Sequence, residues 1–302
     1  NVVLANGAIV TGSGAVSVDA SGTIDESTDG TTTNIQTTGG LTLTSGGAIG
    51  ANVDANGHLD VDVGSVTLTS SGGTDVSLRD AGTSDTTYTL STGGAGAVSV
   101  IQAGNNLLVD AITTTGTVTL SGAAAVLDAN SDTTTNISTT GAVSVTAGTS
   151  IGATGAGALD IVTATDVTLD ANDDVAVRGS NQTLTALSLT VDASGAAVYE
   201  LTNFANLTET LTTDGTDLTV TALDATGGAD LTLINDTGNV TVTSFDTTGA
   251  GTLSVTASSG NVVLANGAIV TGSGAVSVDA SGTIDESTDG TTTNIQTTGG
   301  LT

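Results

Sequence analysis

An all-β chain wound as a parallel β-solenoid, with coils of about 22–26 residues, is predicted by three observations: period-two strands, regular strand spacing and scarce aromatics. Apolar and polar residues alternate in Val16-Ser17-Val18, Leu41-Thr42-Leu43, Val66-Thr67-Leu68, Val118-Thr119-Leu120, Val143-Ser144-Val145 and Val167-Thr168-Leu169. Such segments are short strands with one buried face. Their starts recur at a near-constant step: Val16, Leu41 and Val66 are 25 residues apart, as are Val118 and Val143, with Val167 following after 24. Later the step shortens to 22 in Val240, Val262 and Ile284, while Leu231, Leu253 and Val276 run at 22 and 23 in an interleaved series. Two strand series advancing together describe one coil.

Between strands lie tetrapeptides such as Asp19-Ala20-Ser21-Gly22, Asp128-Ala129-Asn130-Ser131 and Asp224-Ala225-Thr226-Gly227. Their Asp, Asn and Gly supply side-chain-to-backbone bonds and left-handed conformations, so they read as corners. No segment carries a helical stripe. The aromatics are Tyr88, Tyr199, Phe204 and Phe245 alone. A wide interior uses aromatic bulk, whereas a thin core of stacked aliphatics needs none. A hydrophobic share of 37% argues for an ordered chain despite the charge.

Residues 1–42 recur without change as residues 261–302, which sets a period of 260 residues. Strands exchange Val, Ile and Thr freely, so fold constraint alone does not preserve 42 positions, and duplication is the expected source. The expectation is a window on a longer tandem array: 1–302 one continuous solenoid, 1–260 one full period, and 261–302 the start of the next. A second level of repetition pairs TTTNI at Thr31–Ile35 with TTTNI at Thr133–Ile137. At a similar offset, Arg79 in Asp75-Val-Ser-Leu-Arg79 matches Arg178 in Asp174-Val-Ala-Val-Arg178, and such a block is expected to hold about four coils. Stacking at roughly 4.8 Å per coil gives about 11 coils and a rise on the order of 50–55 Å per period. The competing architecture is a string of immunoglobulin-like sandwiches, supported by the offset near 100 residues. Against it stand the missing core Trp, the missing Pro, and a period that is not a multiple of that offset.

Composition narrows the function. With 31 Asp and Glu against two Arg and a net charge of −29, nucleic acids and anionic membranes are poor partners, since phosphate contacts need clustered cations. The same charge favours solubility, repulsion between neighbours and binding of divalent cations. The chain has no Cys and no Lys, so neither disulfides nor lysine isopeptide crosslinks hold it together. No run of 18 apolar residues is present, so no membrane insertion is expected in this segment.

The stretches GAVSVDASGTI (14–24) and GALDIVTATDVTL (157–169) resemble repeats of the filamentous-haemagglutinin-like family of giant bacterial exoproteins. That resemblance covers nearly the whole chain and rests on composition and strand-turn rhythm. It implies a right-handed parallel β-helix, an adhesin-type role, and a place outside the cell or on the surface of a bacterium. The resulting expectation is a non-catalytic structural repeat of a long fibre, stalk or adhesin shaft. Its partners would be itself, by end-to-end continuation or lateral contact, and cell-surface or matrix glycans. A calcium-rigidified adhesin extender of immunoglobulin-like domains is the runner-up. A polysaccharide-acting β-helix enzyme and an ice-binding solenoid stand further off.

Calcium is the one cofactor the sequence raises. Oxygen side chains alternate in Asp25, Ser27 and Asp29 (copied from Asp285 onward), in Asp128, Asn130 and Asp132, and in Asp170, Asn172 and Asp174, as in the first half of an EF-hand loop. The acidic residue expected at the twelfth position is absent, Gln36 standing there when counting from Asp25, and plain solvated Asx turns use the same residues. Arg79 and Arg178 invite comparison with the arginine of some β-helix lyases. Their neighbours Asp75 and Asp80, or Asp173 and Asp174, instead suggest surface ion pairs. His58 is the only His, and neither a metal cluster nor a Ser-His-Asp triad is apparent around it. Thr31–Thr33, Thr113–Thr115 and Thr133–Thr135 are not evenly spaced coil by coil, as an ice-matching surface would require.

Overall fold

A computed structural model describes residues 1–27, 30–50, 57–163, 167–180, 187–191, 196–204, 207–213, 217–225, 229–247, 251–287 and 293–302. They form two compact units, 1–148 and 149–302, each a stack of parallel strands. The chain is a parallel β-solenoid of about 11 turns. Its helical content among the described residues is one 3-10 turn, Gly155–Gly157. An immunoglobulin-like sandwich requires antiparallel pairs, and the pairings of both units are parallel. The sandwich alternative is therefore wrong, because each strand meets its equivalent one turn later rather than its neighbour in sequence.

In the first unit one sheet stacks Val16–Ala20, Gly40–Ser45, Ser65–Ser70, Thr86–Thr92 and Leu107–Thr113, which is continued by Val126–Asp128 and Ile137–Ser138. The other stacks Ile9–Val10, Ile35–Gln36, Leu59–Asp62, Val76–Asp80, Val98–Gln102, Val118–Gly122 and Val143–Ala147. Register follows the sequence spacing: Val16 lies opposite Leu41, Leu41 opposite Val66, and Val118 opposite Val143. The second unit shows the same agreement, with Val240 opposite Val262 and Val262 opposite Ile284 in one sheet. In its other sheet Leu231 faces Leu253 and Leu253 faces Val276. A one-residue slip would turn the buried face outward, so the apolar pattern determines the register.

The block repeat is four and a half turns, not four. From Val16 the stack climbs four steps, through Leu41, Val66 and Tyr88 to Val109, and the equivalent Val118 strand then lies half a turn on, in the opposite sheet. The two TTTNI motifs accordingly enter different sheets, at Ile35–Gln36 and Ile137–Ser138.

Val, Leu and Ile fill the thin interior, and the few aromatics join them: Tyr88 and Tyr199 are fully buried and Phe245 nearly so. Full burial of such a side chain contributes roughly 1.5–3 kcal/mol. Asp19, Asp128 and Asp224 end or flank strands rather than occupying corners, because the strands extend to Ala20, Asp128 and Ala225. Residues 226–228 lie outside the described residues.

Corners follow a rule that the composition did not reveal. A Ser or Thr two residues before a Gly accepts that glycine's N–H, as the buried Thr37, Ser45, Thr114 and Thr139 and the half-buried Thr297 do for Gly39, Gly47, Gly116, Gly141 and Gly299 at 2.9–3.0 Å. The same hydroxyl donates to the carbonyl of a corner glycine elsewhere in the stack: Thr37 to Gly14 (2.6 Å), Thr114 to Gly96 (2.7 Å) and Thr297 to Gly274 (2.6 Å). Backbone groups that leave the ladder at a bend are thus satisfied without water.

A buried polar cluster makes the first unit pH-sensitive. Asp80, fully buried, accepts from the Gly82 N–H (2.7 Å) and lies 2.9 Å from Thr86 Oγ1, while Tyr88 donates to Gln102 Oε1 at 2.9 Å. Burial raises the Asp80 carboxyl to about 6, against the hydrogen bonds that favour its ionised form. A carboxyl raised above its unfolded value of 3.8 contributes stability that is complete below that pH and is lost as pH rises through about 6. Acidifying from pH 7.5 to 4.5 is therefore expected to stabilise the wild type by about 2 kcal/mol more than Asp80→Asn. Denaturant midpoints of both proteins at the two pH values measure it, and equal gains would remove Asp80 as the cause.

Candidate functional site

The two arginines mark the only features that interrupt the regular coil in the same way twice among the described residues. In the first unit Ile49 faces Val76 and Leu59 faces Leu78, so ten positions along one turn correspond to two along the next. In the second unit Ile151 and Leu159 face Val175 and Val177, and residues 152–158 make the matching excursion. Each starts at a glycine with left-handed backbone, Gly50 at φ 56° and Gly152 at φ 66°. A Cβ on either would meet the carbonyl oxygen of the next coil, Ser77 O at 2.2 Å or Ala176 O at 2.1 Å. Glycine alone satisfies both demands. Residues 51–56 lie outside the described set, but 152–158 are seen to close through Ala153 N–H to Gly157 O (2.7 Å) and the 3-10 turn.

An Arg–Asp pair clamps the foot of each excursion. Arg79 Nη1 contacts Asp60 Oδ1 at 3.0 Å and donates to Thr31 O at 3.4 Å. Arg178 Nη1 contacts Asp160 Oδ2 at 2.8 Å, and its Nη2 donates to Gly155 O within the excursion. The sequence neighbours Asp75, Asp80, Asp173 and Asp174 are not the partners. Parallel stacking sets Asp60 opposite Arg79 and Asp160 opposite Arg178, one turn apart, so the pairs run between turns and are largely buried. Asp60 is also bound through its backbone: its N–H donates to Asn34 Oδ1 (3.0 Å) and its carbonyl accepts the Asn34 N–H (2.8 Å). Burial raises the Asp60 carboxyl pKa, and Arg79 pulls it back down.

Asn34, from the first TTTNI motif, is fully buried and reaches the previous turn at Leu4 O and Ala5 O. Asn136 of the second copy does the same through Val109 O at 2.9 Å. That motif is an internal bracket.

One hydrogen bond has chemical character. His58 Nδ1 meets Ser77 Oγ across a turn, so His58 has a serine partner that the sequence did not suggest. Burial lowers the imidazole pKa, Asp60 raises it and Arg79 lowers it, which leaves His58 neutral near pH 7. In the second excursion the aligned positions are Ala158 and Ala176. Glycine, Arg and Asp recur while His and Ser do not, so the duplicated device is the clamp.

Two of the three calcium candidates meet the protein's own polar groups. Asp128 accepts from Asn130 N–H (3.0 Å), Asp132 N–H (2.9 Å) and Asn136 Nδ2 (2.9 Å), the pattern of an Asx turn. Asn130 donates to Asp110, and Asp132 accepts the Thr134 N–H. Asp25 accepts from the Glu26 N–H, and Ser27 donates its N–H to Leu4 O. Asp29 lies outside the described residues. Asp170, Asn172 and Asp174 are exposed along and just after the Val167–Ala171 strand. Among the described residues no three acidic or imidazole side chains converge as a metal site would require.

The Thr31–Thr33 and Thr133–Thr135 tracts line no common face, but Thr42, Thr67 and Thr89 form a rank on one sheet, bounded by Ser17 and Ala111. Their signal was the Leu-Thr and Val-Thr alternation at 25-residue spacing. No family model, no curated protein and no solved structure matches the chain.

Proposed function

We propose that the chain is a repeat unit of a long extracellular fibre, stalk or adhesin shaft on a bacterial surface, without catalysis. The observation that carries this reading is the behaviour of the 42-residue repeat. Its internal register is the same in both positions: Val2 faces Ile24 as Val262 faces Ile284, Ile9 faces Ile35 as Ile269 faces Ile295, and Val16 faces Leu41 as Val276 faces Leu301. The first copy is continued on its later side by Leu59–Asp62 and Ser65–Ser70, and the second is preceded by Asn239–Val242, Phe245–Thr247 and Leu253–Ala257, so one segment accepts coils on both sides. Stacked modules of this kind extend length and stiffness by repetition, with each turn bound only to its neighbours. The arginines a lyase would need are held by Asp60 and Asp160, which favours the structural role over the enzymatic one.

Immunogold labelling of intact cells of the producing organism, using antibodies to the repeat, tests the reading. Label along surface filaments is expected. Label confined to permeabilised cells, or glycan cleavage by the purified chain that is lost with Arg79→Ala and Arg178→Ala, would contradict it.

A further inference from the structure

The outward face of one sheet in the first unit carries hydroxyls in two straight files. Thr42 lies opposite Thr67 and Thr67 opposite Thr89, while Thr44 lies opposite Thr69 and Thr69 opposite Ser91. Their neighbours along each strand point inward: Leu41, Leu43, Val66, Leu68, Tyr88 and Leu90 are all buried. That packing fixes the strands, so three successive turns hold every second residue on one surface. Thr42, Thr44, Thr67, Thr69 and Ser91 are exposed, and their hydroxyls have no hydrogen-bond partner among the described residues. Thr89 donates to Asp110 Oδ2 at 2.7 Å and closes the array on one side, and Asp19, opposite Thr44, closes it on the other. Between these two carboxylates the face is uncharged, on a chain whose net charge is −29.

We infer that this face binds ice, with the hydroxyls of Thr42, Thr44, Thr67, Thr69 and Ser91 taking positions of water in the lattice. A periodic array of free hydroxyls fits a partner of the same period. Residues two apart on a strand are separated by about 6.6 Å, and successive turns by about 4.8 Å. In a tetrahedral lattice of water with O···O bonds of about 2.75 Å, second neighbours lie about 4.5 Å apart and the puckered layers repeat every 7.3 Å or about that. The offsets are about 0.3 Å per turn and about 0.7 Å across the files, and over three turns the first grows to about 0.6 Å, which a small rotation about χ1 absorbs. Threonine is stiff at χ1, so little freedom is lost when its hydroxyl enters the lattice. Its methyl group leaves liquid water at the same contact. An uncharged lattice also suits an uncharged face, where an ionic partner finds no counter-charge. A glycan would gain most from flat aromatic platforms, and Tyr88, Tyr199 and Phe245 are buried. Binding needs one chain only and is independent of the fibre reading.

The whole 302-residue chain is tested in ice grown slowly from a stirred solution that also holds an inert marker protein. Wild type should enter the ice while the marker stays in the liquid. The double variant Thr67→Arg, Thr69→Arg, at the centre of both files and on an exposed surface, should be excluded like the marker while keeping its β-type circular dichroism. Thr119→Arg, exposed on the other sheet, should enter the ice as the wild type does. Exclusion of the wild type, or an equal loss in Thr119→Arg, overturns the inference. So does a wild type that stays out of ice but pellets with microcrystalline cellulose, or forms a dimer in sedimentation velocity, when the double variant does neither. The first of those results would assign the face to a crystalline glycan and the second to another copy of the chain.

Discussion

Arg79→Ala is expected to destabilise the first unit by about 3 kcal/mol, because it leaves the Asp60 carboxylate without its cation in a place closed to solvent. The loss belongs at the lower end for buried pairs, since the Arg79 side chain keeps 23% of its surface. Asp60→Asn should cost less, as an amide still offers Arg79 an acceptor. The double variant should fall short of the summed single losses by more than about 1 kcal/mol. Arg79→Ala should also lose less at pH 5 than at pH 8, because a burial-raised carboxyl takes a proton in place of its cation. Urea unfolding of the four proteins gives the cycle. Additive losses would mean that the clamp adds nothing beyond packing.

Gly50→Ala is expected to cost at least about 3 kcal/mol, for two reasons that add. The residue sits at φ 56°, where a β-carbon is disfavoured by about 1 kcal/mol. That carbon would also lie 2.2 Å from Ser77 O and 2.4 Å from Leu59 N, both backbone atoms that cannot turn away. Relief requires the turns to part beside Asp60 and Arg79, so the clamp should loosen as well. Gly40→Ala is the control. Its new methyl would meet only the Ser65 hydroxyl at 3.1 Å, a group that can rotate, and the expected change is within about 1 kcal/mol. Similar losses at both glycines would show that main-chain entropy, not stacking, sets the cost.

Much of the fold was legible because parallel stacking turns sequence spacing directly into contact. Val16, Leu41 and Val66 are 25 residues apart and lie opposite one another, and the 22-residue spacing of Val240, Val262 and Ile284 does the same. The pairing of Arg79 with Asp60 escaped notice because Asp75 and Asp80 are closer along the chain. Excursion length decides the partner, and the duplicated Leu59-Asp60-Val61 and Leu159-Asp160-Ile161 were the available signal. The half-turn in the block repeat was hidden for a different reason: a sequence offset carries no record of which sheet a strand enters. Buried corner hydroxyls were missed because Thr and Ser are also the usual solvent-facing residues of strands. Only their place two residues before a glycine separates Thr37, Thr114 and Thr139 from the exposed Thr42 and Thr67.

Cryo-electron microscopy of an array of three 260-residue periods tests most directly that the repeated segment carries one solenoid across each boundary. The expected image is an uninterrupted rod with a layer line near about 4.8 Å and an axial period on the order of 50–55 Å, the rise of about 11 turns. Density that breaks at every boundary, or beads on narrow links without that layer line, would contradict it.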